Sequence, residues 1–320
     1  MRNKTWTDSF IDTLNEKYPK KAQLTENLMN LLYLEREPVY RRLRQEVIFT
    51  IEEIAKISSA WNISLDKITG VQPGQIPFHM QPVNYFHPSE YEIKFLQHII
   101  GTIHDLKNFS DAEFMDVSNQ LPRQLRAGYR HLNHFFLFKW IYQYDNDQDT
   151  LRYSEVDSSE EMIQMTADYF EAIKNIPQSY FILDYFLFEH LTHSIQYFTS
   201  FEMITHGDKE LIKNDLYALL DYMEKIAKNG CYPETQNKVD LYISQLDIDT
   251  NYSYTYTHQA NICFVHVFDK YEIYTYNPEM VKNFKKWMHL KKRTSILISE
   301  VDKKSRIEYF SKQRRMVEKL

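Results

Sequence analysis

The chain has 320 residues, 43% hydrophobic and 26% charged, with a formal net charge of −6 at neutral pH. This balance fits a globular protein of two or three domains and excludes a disordered or low-complexity chain. No run approaches the length of a membrane-spanning helix, and two cysteines, Cys231 and Cys263, without close spacing exclude a disulfide framework or a cysteine-rich zinc site.

The opening MRNKTWTDSF lacks the apolar core of a signal peptide, so the expected location is the reducing cytoplasm. Residues 1–70 hold 11 Lys and Arg against 10 Asp and Glu, residues 278–320 hold 13 against 5, and the stretch between them carries a net −15. An acidic middle does not lie along nucleic acid, so any DNA contact has to come from one end.

In chain order, residues 6–18 place Phe10, Ile11 and Leu14 on one helical stripe, and residues 22–33 do the same with Leu24, Leu28, Leu31 and Leu32. A short helix follows over 37–45. A fourth opens with the capping box Thr50–Glu53 and runs through Ile54, Ala55, Ile57 and Trp61. Ser64 to Ile68 suggests one more helical turn. Four prolines (Pro73, Pro77, Pro82, Pro88) then mark residues 71–88 as an extended linker.

From 89 to about 235 the spacing predicts helices, among them RQLRAGYRHLNHFFLFKWIYQY and SYFILDYFLFEHLTHSIQYFTSF, with Pro122, Pro177 and Gly207 as breakers. After Pro233 the period changes to strands at VDLYISQLDI, YSYTYT, NICFVHVF and YEIYTY. Pro278 opens a basic helix to about Leu290, TSILIS is a short strand, and the chain closes on a basic helix with Ile307, Phe310 and Val317 on its apolar side. The expected fold is mainly α: an all-α domain over 1–70, the linker over 71–88, a helical domain over 89–235, and an α+β segment over 236–320 with a small antiparallel sheet packed on it.

On a helical wheel, EPVYRRLRQE (37–46) gathers Val39 and Leu43 with Tyr40 at the border, while Glu37, Arg41, Arg44 and Gln45 share the opposite face and Arg42 lies at its flank. So narrow an apolar stripe needs the preceding helix, joined through Leu34–Arg36, as support. Two short helices with a tight turn, the second presenting Arg and Gln outward, fit a helix-turn-helix. Arginine suits it because its planar fork pairs with guanine or phosphate oxygens, and Gln pairs with adenine. The bland alternative is a solvated helix face.

Residues 20–70, especially LTENLMNLLYLEREPVYRRLRQEVIFTIEEIAKISSAWNISLDKITG, resemble the lambda-repressor-like (XRE-type) helix-turn-helix of bacterial transcription regulators. The match rests on Arg36, Glu37, Val39, Tyr40, Arg41, Arg42, Leu43, Arg44 and Glu46, followed by the Thr50–Glu53 helix start and Asn62-Ile-Ser-Leu-Asp66. The resemblance implies a sequence-specific regulator of double-stranded DNA, with Arg36, Glu37, Arg41 and the preceding turn at the major groove; the weak binding of one such module suggests a homodimer. Tyr40, Arg42, Arg44 and Gln45 complete the expected DNA-binding set. The sequence departs from the family where small turn residues are replaced by Tyr33 and Glu35, and where Gly after the last arginine is Gln45.

Two other constellations carry competing readings. His131/His134 and His190/His193 are i, i+3 pairs that two facing helices use for a metal, which would make a metal-dependent enzyme; edge-of-helix aromatics are the plainer account. Tyr252, Tyr254 and Tyr256 line one strand face, with Tyr274 and Tyr276 on another, as sheet packing or as the floor of a small-molecule pocket. The basic C-terminal segment is a solvated face or a second nucleic-acid contact. No nucleophile elbow, P-loop or dinucleotide fingerprint is present, so no enzyme and no cofactor is expected. The large remainder of the chain is expected to dimerise or to sense an effector; a protein–protein adaptor with a degenerate helix-turn-helix is the third reading.

Overall fold

The computed structural model describes residues 5–65, 68, 76–83, 88–144, 151–156, 159–268 and 271–320. It divides into two compact units, residues 1–77 and 78–320.

The first unit contains α1 (Trp6–Lys17), α2 (Lys21–Leu32), α3 (Arg36–Leu43) and α4 (Ile51–Trp61). Reciprocal capping boxes start α1 at Thr5/Asp8 and α4 at Thr50/Glu53, because each side chain meets backbone N–H groups that the first helical turn leaves unpaired. Left-handed residues stop α2 at Tyr33 and α4 at Asn62. Leu14, Leu24, Leu28, Val39 and Ile57 are wholly buried between the helices, and Phe10 meets Phe49 edge to face at 5.6 Å. Each such side chain contributes about 1.5–3 kcal/mol by leaving water. The turn expected at Ser64–Ile68 lies partly outside the described residues.

The second unit is built on one mixed sheet of eight strands in the order β1-β7-β6-β5-β2-β3-β4-β8. The strands are β1 (His79–Met80), β2 (Glu113–Ser118), β3 (Gln178–Asp184), β4 (Lys238–Ser244), β5 (Tyr252–Tyr256), β6 (Asn261–Val267), β7 (Tyr271–Thr275) and β8 (Ser295–Leu297). β2, β3 and β4 are parallel, while β5, β6 and β7 form an antiparallel meander that joins β2. The helices are α5 (Glu90–Asp105), α6 (Arg123–Arg126), α7 (Arg130–Tyr144), α8 (Glu160–Lys174), α9 (Leu187–Ser200), α10 (His206–Asn229), α11 (Pro278–Leu290) and α12 (Lys303–Glu318). Gly230 ends α10 in the left-handed region, and Glu300 closes the space where a side chain would stand.

Among the described residues the chain is thus mainly α with a single sheet, but three expectations change. The sheet is neither small nor purely antiparallel, and β2 and β3 lie inside the stretch expected to be wholly helical. Residues 89–235 and 236–320 consequently share one sheet and belong to one unit. Part of the expected linker also belongs to that unit, since His79 and Met80 pair with Tyr274 and Ile273 and Val83 is buried against Met162 and Met165. Among the described residues no helix is long and apolar enough to cross a membrane.

Helices α5 to α10 and α12 contribute to the core on one face of the sheet, where Phe114, Phe181, Leu183, Val239 and Leu241 meet Leu132, Phe135, Phe138, Phe188 and Phe310. On the other face Val281, Phe284 and Met288 of α11 meet Met115, Val117, Ile182 and Tyr254. A polar knot pins α11 there. Glu113 accepts a hydrogen bond from the Tyr254 hydroxyl, and its Oε1 lies 3.0 Å from Lys285 Nζ and 3.1 Å from His289 Nε2. Lys285 also stands 3.8 Å over the Tyr256 ring, and Lys292 stands 3.4 Å over Tyr180.

Burial alone would raise the Glu113 pKa, but hydrogen bonds from His289, Tyr254 and Lys285 and the Lys285 charge outweigh it and hold the carboxyl at about 2. The pKa is depressed in the folded state, so the stability it contributes is present above the ordinary glutamate range and drains away as pH falls towards 2. Glu113→Gln should therefore destabilise the protein by about 2–4 kcal/mol at neutral pH. The variant should also lose less on acidification than the wild type, which urea denaturation across acidic pH will read; parallel pH curves would contradict the knot.

Candidate functional site

In the first unit, α2 and α3 are joined by three residues, Tyr33, Leu34 and Glu35. Only Val39 of α3 is buried, so the helix is held by its neighbours and offers most of its surface to solvent. Arg36, Glu37, Arg41, Arg44 and Gln45 are exposed, whereas Tyr40 is half-buried with the Arg36 guanidinium 5.6 Å from its ring centroid. Arg44 lies 3.0 Å from Glu37 and 3.1 Å from Glu46, and Arg41 lies 3.8 Å from Glu46. The side chains of Arg41 and Arg44 remain 53% and 55% exposed, so these pairs do not seal either guanidinium from outside. Exposed pairs of this kind are worth at most about 1 kcal/mol and exchange readily for a better anion.

Arg42 differs. Its Nε and Nη2 grip both oxygens of Glu53 at 2.9 and 2.8 Å, its Nη1 donates to the Pro38 carbonyl, and its side chain is only 14% exposed. It ties α3 to the start of α4, where Glu53 also closes the capping box, and is not part of the outward face. Burial would raise the Glu53 pKa, but Arg42 and the Thr50 amide together lower it.

The departures from the XRE-type pattern have local causes. Tyr33 is left-handed at φ 55° and Gln45 at φ 61°, conformations for which Gly is the natural choice. Gln45 Nε2 donates to Asp8 Oδ1 at 2.8 Å, which fastens the end of α3 to α1. Glu35 is the N-cap of α3, where negative charge suits the helix dipole.

The paired histidines do not form a metal site: among the described residues no three His, Cys, Asp or Glu side chains are placed to hold an ion. His134 is turned to the Tyr153 carbonyl at 2.7 Å and packed on its ring, while His190 and His193 are exposed on α9. Tyr252, Tyr254 and Tyr256 contribute to the core beneath α11. Much of the basic C-terminal charge has partners within the unit: Arg314 bridges Asp221 and Glu224 at 2.7 and 2.6 Å, and the buried Arg306 donates to the Ile298 carbonyl. Ile307, expected on the apolar side of α12, is exposed.

The second unit holds a feature that sequence reasoning missed. A cavity of about 410 Å³ opens beside the carboxyl end of β2, lined by Asp116, Ser118, Arg123, Gln124, Arg126 and Arg130 among others. Its signal was legible: the stretch 71–277, with its net −15, contains four arginines, and three of them fall at 123, 126 and 130. Burial raises the Asp116 pKa to about 7; the Ser118 hydroxyl opposes this, Glu272 adds to it and Arg123 opposes it. Comparison with protein-family models, curated proteins and solved structures gives no match.

Two outcomes follow. Arg42→Ala should weaken the first unit by about 1.5–3 kcal/mol, while Arg41→Ala should cost under about 1 kcal/mol. Amide hydrogen exchange at Val39 and Ile57 separates them, and equal losses would contradict the division of roles. The second outcome concerns Asp116. Its pKa is raised in the folded state, so the stability it contributes is full below its ordinary value near 3.8 and is lost as pH climbs to about 7. Asp116→Asn should therefore gain on the wild type across that interval in thermal melts, and a constant difference would show that the carboxyl is well solvated.

Proposed function

We propose that the chain is a cytoplasmic, sequence-specific DNA-binding transcription regulator that acts as a homodimer and reads the major groove with α3. The supporting observation is the pairing of α2 with an α3 that is fixed through Val39 and the Arg42–Glu53 bridge and leaves Arg36, Glu37, Arg41 and Arg44 outward. Arg36 and Arg41 are the side chains for base edges, where a bidentate arginine–guanine pair is worth about 1–3 kcal/mol of discrimination. Arg44, at the far end of the helix, suits the phosphate backbone.

A single module binds nonspecifically at only about 10⁻⁴–10⁻⁶ M near physiological salt. Two half-sites about 34 Å apart, read by two copies, supply the rest. The second unit is the proposed dimerisation and sensing part.

Glu37 and Glu46 beside the arginines favour one rival, an adaptor whose helix-turn-helix no longer binds DNA. Genomic fragments selected by the full-length protein in an electrophoretic shift distinguish the two. Arg36→Ala with Arg41→Ala should abolish the selective shift. Arg44→Ala should weaken all fragments alike and flatten the salt dependence by about one unit per protomer. Unchanged binding in the double variant, or association indifferent to salt, would overturn the proposal.

A further inference from the structure

The cavity beside β2 is lined wholly by residues of the second unit, and the inference drawn from it stands whether or not α3 reads DNA. We propose that it binds a phosphate monoester of sugar-phosphate or nucleotide size, with Arg123, Arg126 and Arg130 meeting the phosphate and Asp116 with Gln124 meeting hydroxyls of the organic part.

Its place in the fold comes first. From β2 the strand order divides, with β3 and β4 on one side and β5 to β7 on the other, and crevices outside the carboxyl ends of strands at such divisions are where open α/β sheets take ligands. The wall is built. The chain leaves β2 at Ser118, and the amides of Asn119 and Gln120 both donate to Asn251 Oδ1 at 2.9 and 3.3 Å, so the loop is tied to the start of β5. About 410 Å³ is ample for a small organic molecule, and a smaller adjoining space of about 100 Å³ shares Arg123, Met162 and Tyr169 with it.

Charge gives the class of ligand. Three of the four arginines in the most acidic part of the chain face one hollow, against Asp116 and Glu272 as the lining acids. Arg126 is held in place from two sides, donating to Asn133 Oδ1 and lying 4.2 Å over the Phe136 ring. Arg130 is exposed and paired only loosely with Glu160 at 3.6 Å, which puts it at the rim. Guanidinium forks match a tetrahedral anion with two parallel hydrogen bonds apiece.

Buried polar groups of the same lining suit hydroxyls. Asp116, Ser118, Gln124 and Ser253 are at most 6% exposed, and the Gln124 carbonyl oxygen has no hydrogen-bond donor among the described residues. A buried acceptor left unpaired is costly, and a ligand hydroxyl would satisfy it. Trp140, Phe136 and Phe264 add flat apolar surface to the lining.

The test uses the full-length protein in titration calorimetry and thermal-shift assays with AMP, glucose 6-phosphate and inorganic phosphate, and with adenosine and glucose as dephosphorylated controls. One ester should bind at one per chain and about tenfold or more tighter than its dephosphorylated control. Which ester it is distinguishes nucleotide from sugar. Arg123→Gln should weaken that binding about tenfold or more, and so should Arg130→Gln, whose exposed position leaves folding intact even where Arg123→Gln fails to fold. No ester binding at millimolar concentration, affinity unaffected by Arg130→Gln, or inorganic phosphate bound more tightly than either ester would each overturn the proposal.

Discussion

Strand β2 has to be buried on both faces and still carry two carboxylates. Phe114, Asp116 and Ser118 point to the many-helix face, while Glu113, Met115 and Val117 point to the face under α11. A charge taken out of water survives only if it is paired or neutralised. The two residues take the two solutions: Glu113 gathers three donors and stays ionised, whereas Asp116 accepts from the Ser118 hydroxyl and holds its proton to about neutral pH. The knot under α11 and the buried polar lining of the cavity are these two solutions, three residues apart.

The same strand explains where sequence reading stopped. EFMDVS alternates, but acids and a serine at inward positions hide it, and the donors that settle Glu113 (Tyr254, Lys285 and His289) are distant in sequence. β3 is hidden for the opposite reason. SYFILD is apolar on both sides, as a central parallel strand must be, and continues into the aromatic helix α9, so period alone cannot separate strand from helix. The first unit was far easier to read. Its helices are amphipathic and punctuated, and Thr50–Glu53, Leu24, Leu28 and Ile57 stand where periodicity and capping rules put them.

Within the candidate DNA face, the wheel separated outward from inward positions but could not assign Arg42, which it placed on the flank. Whether a flanking arginine faces solvent or a neighbouring helix depends on what that neighbour offers, and α4 offers Glu53. The cavity arginines show the converse. Their spacing of three and four suggests a helical face, and only the fold reveals that α6, the turn after it and the start of α7 bring all three to one hollow.

The sheet ends on both sides in strands of two and three residues, β1 and β8. Beyond β8, the free margin of β4 is taken up locally: the Leu241 amide donates to Ser299 Oγ, its carbonyl accepts from Ile298, and the Val239 amide donates to the Gly230 carbonyl. Such abbreviated margins leave too few rungs for another chain to extend the ladder. Edge-to-edge pairing of copies through the sheet is therefore disfavoured, and the same trait shields the unit from runaway stacking at high concentration.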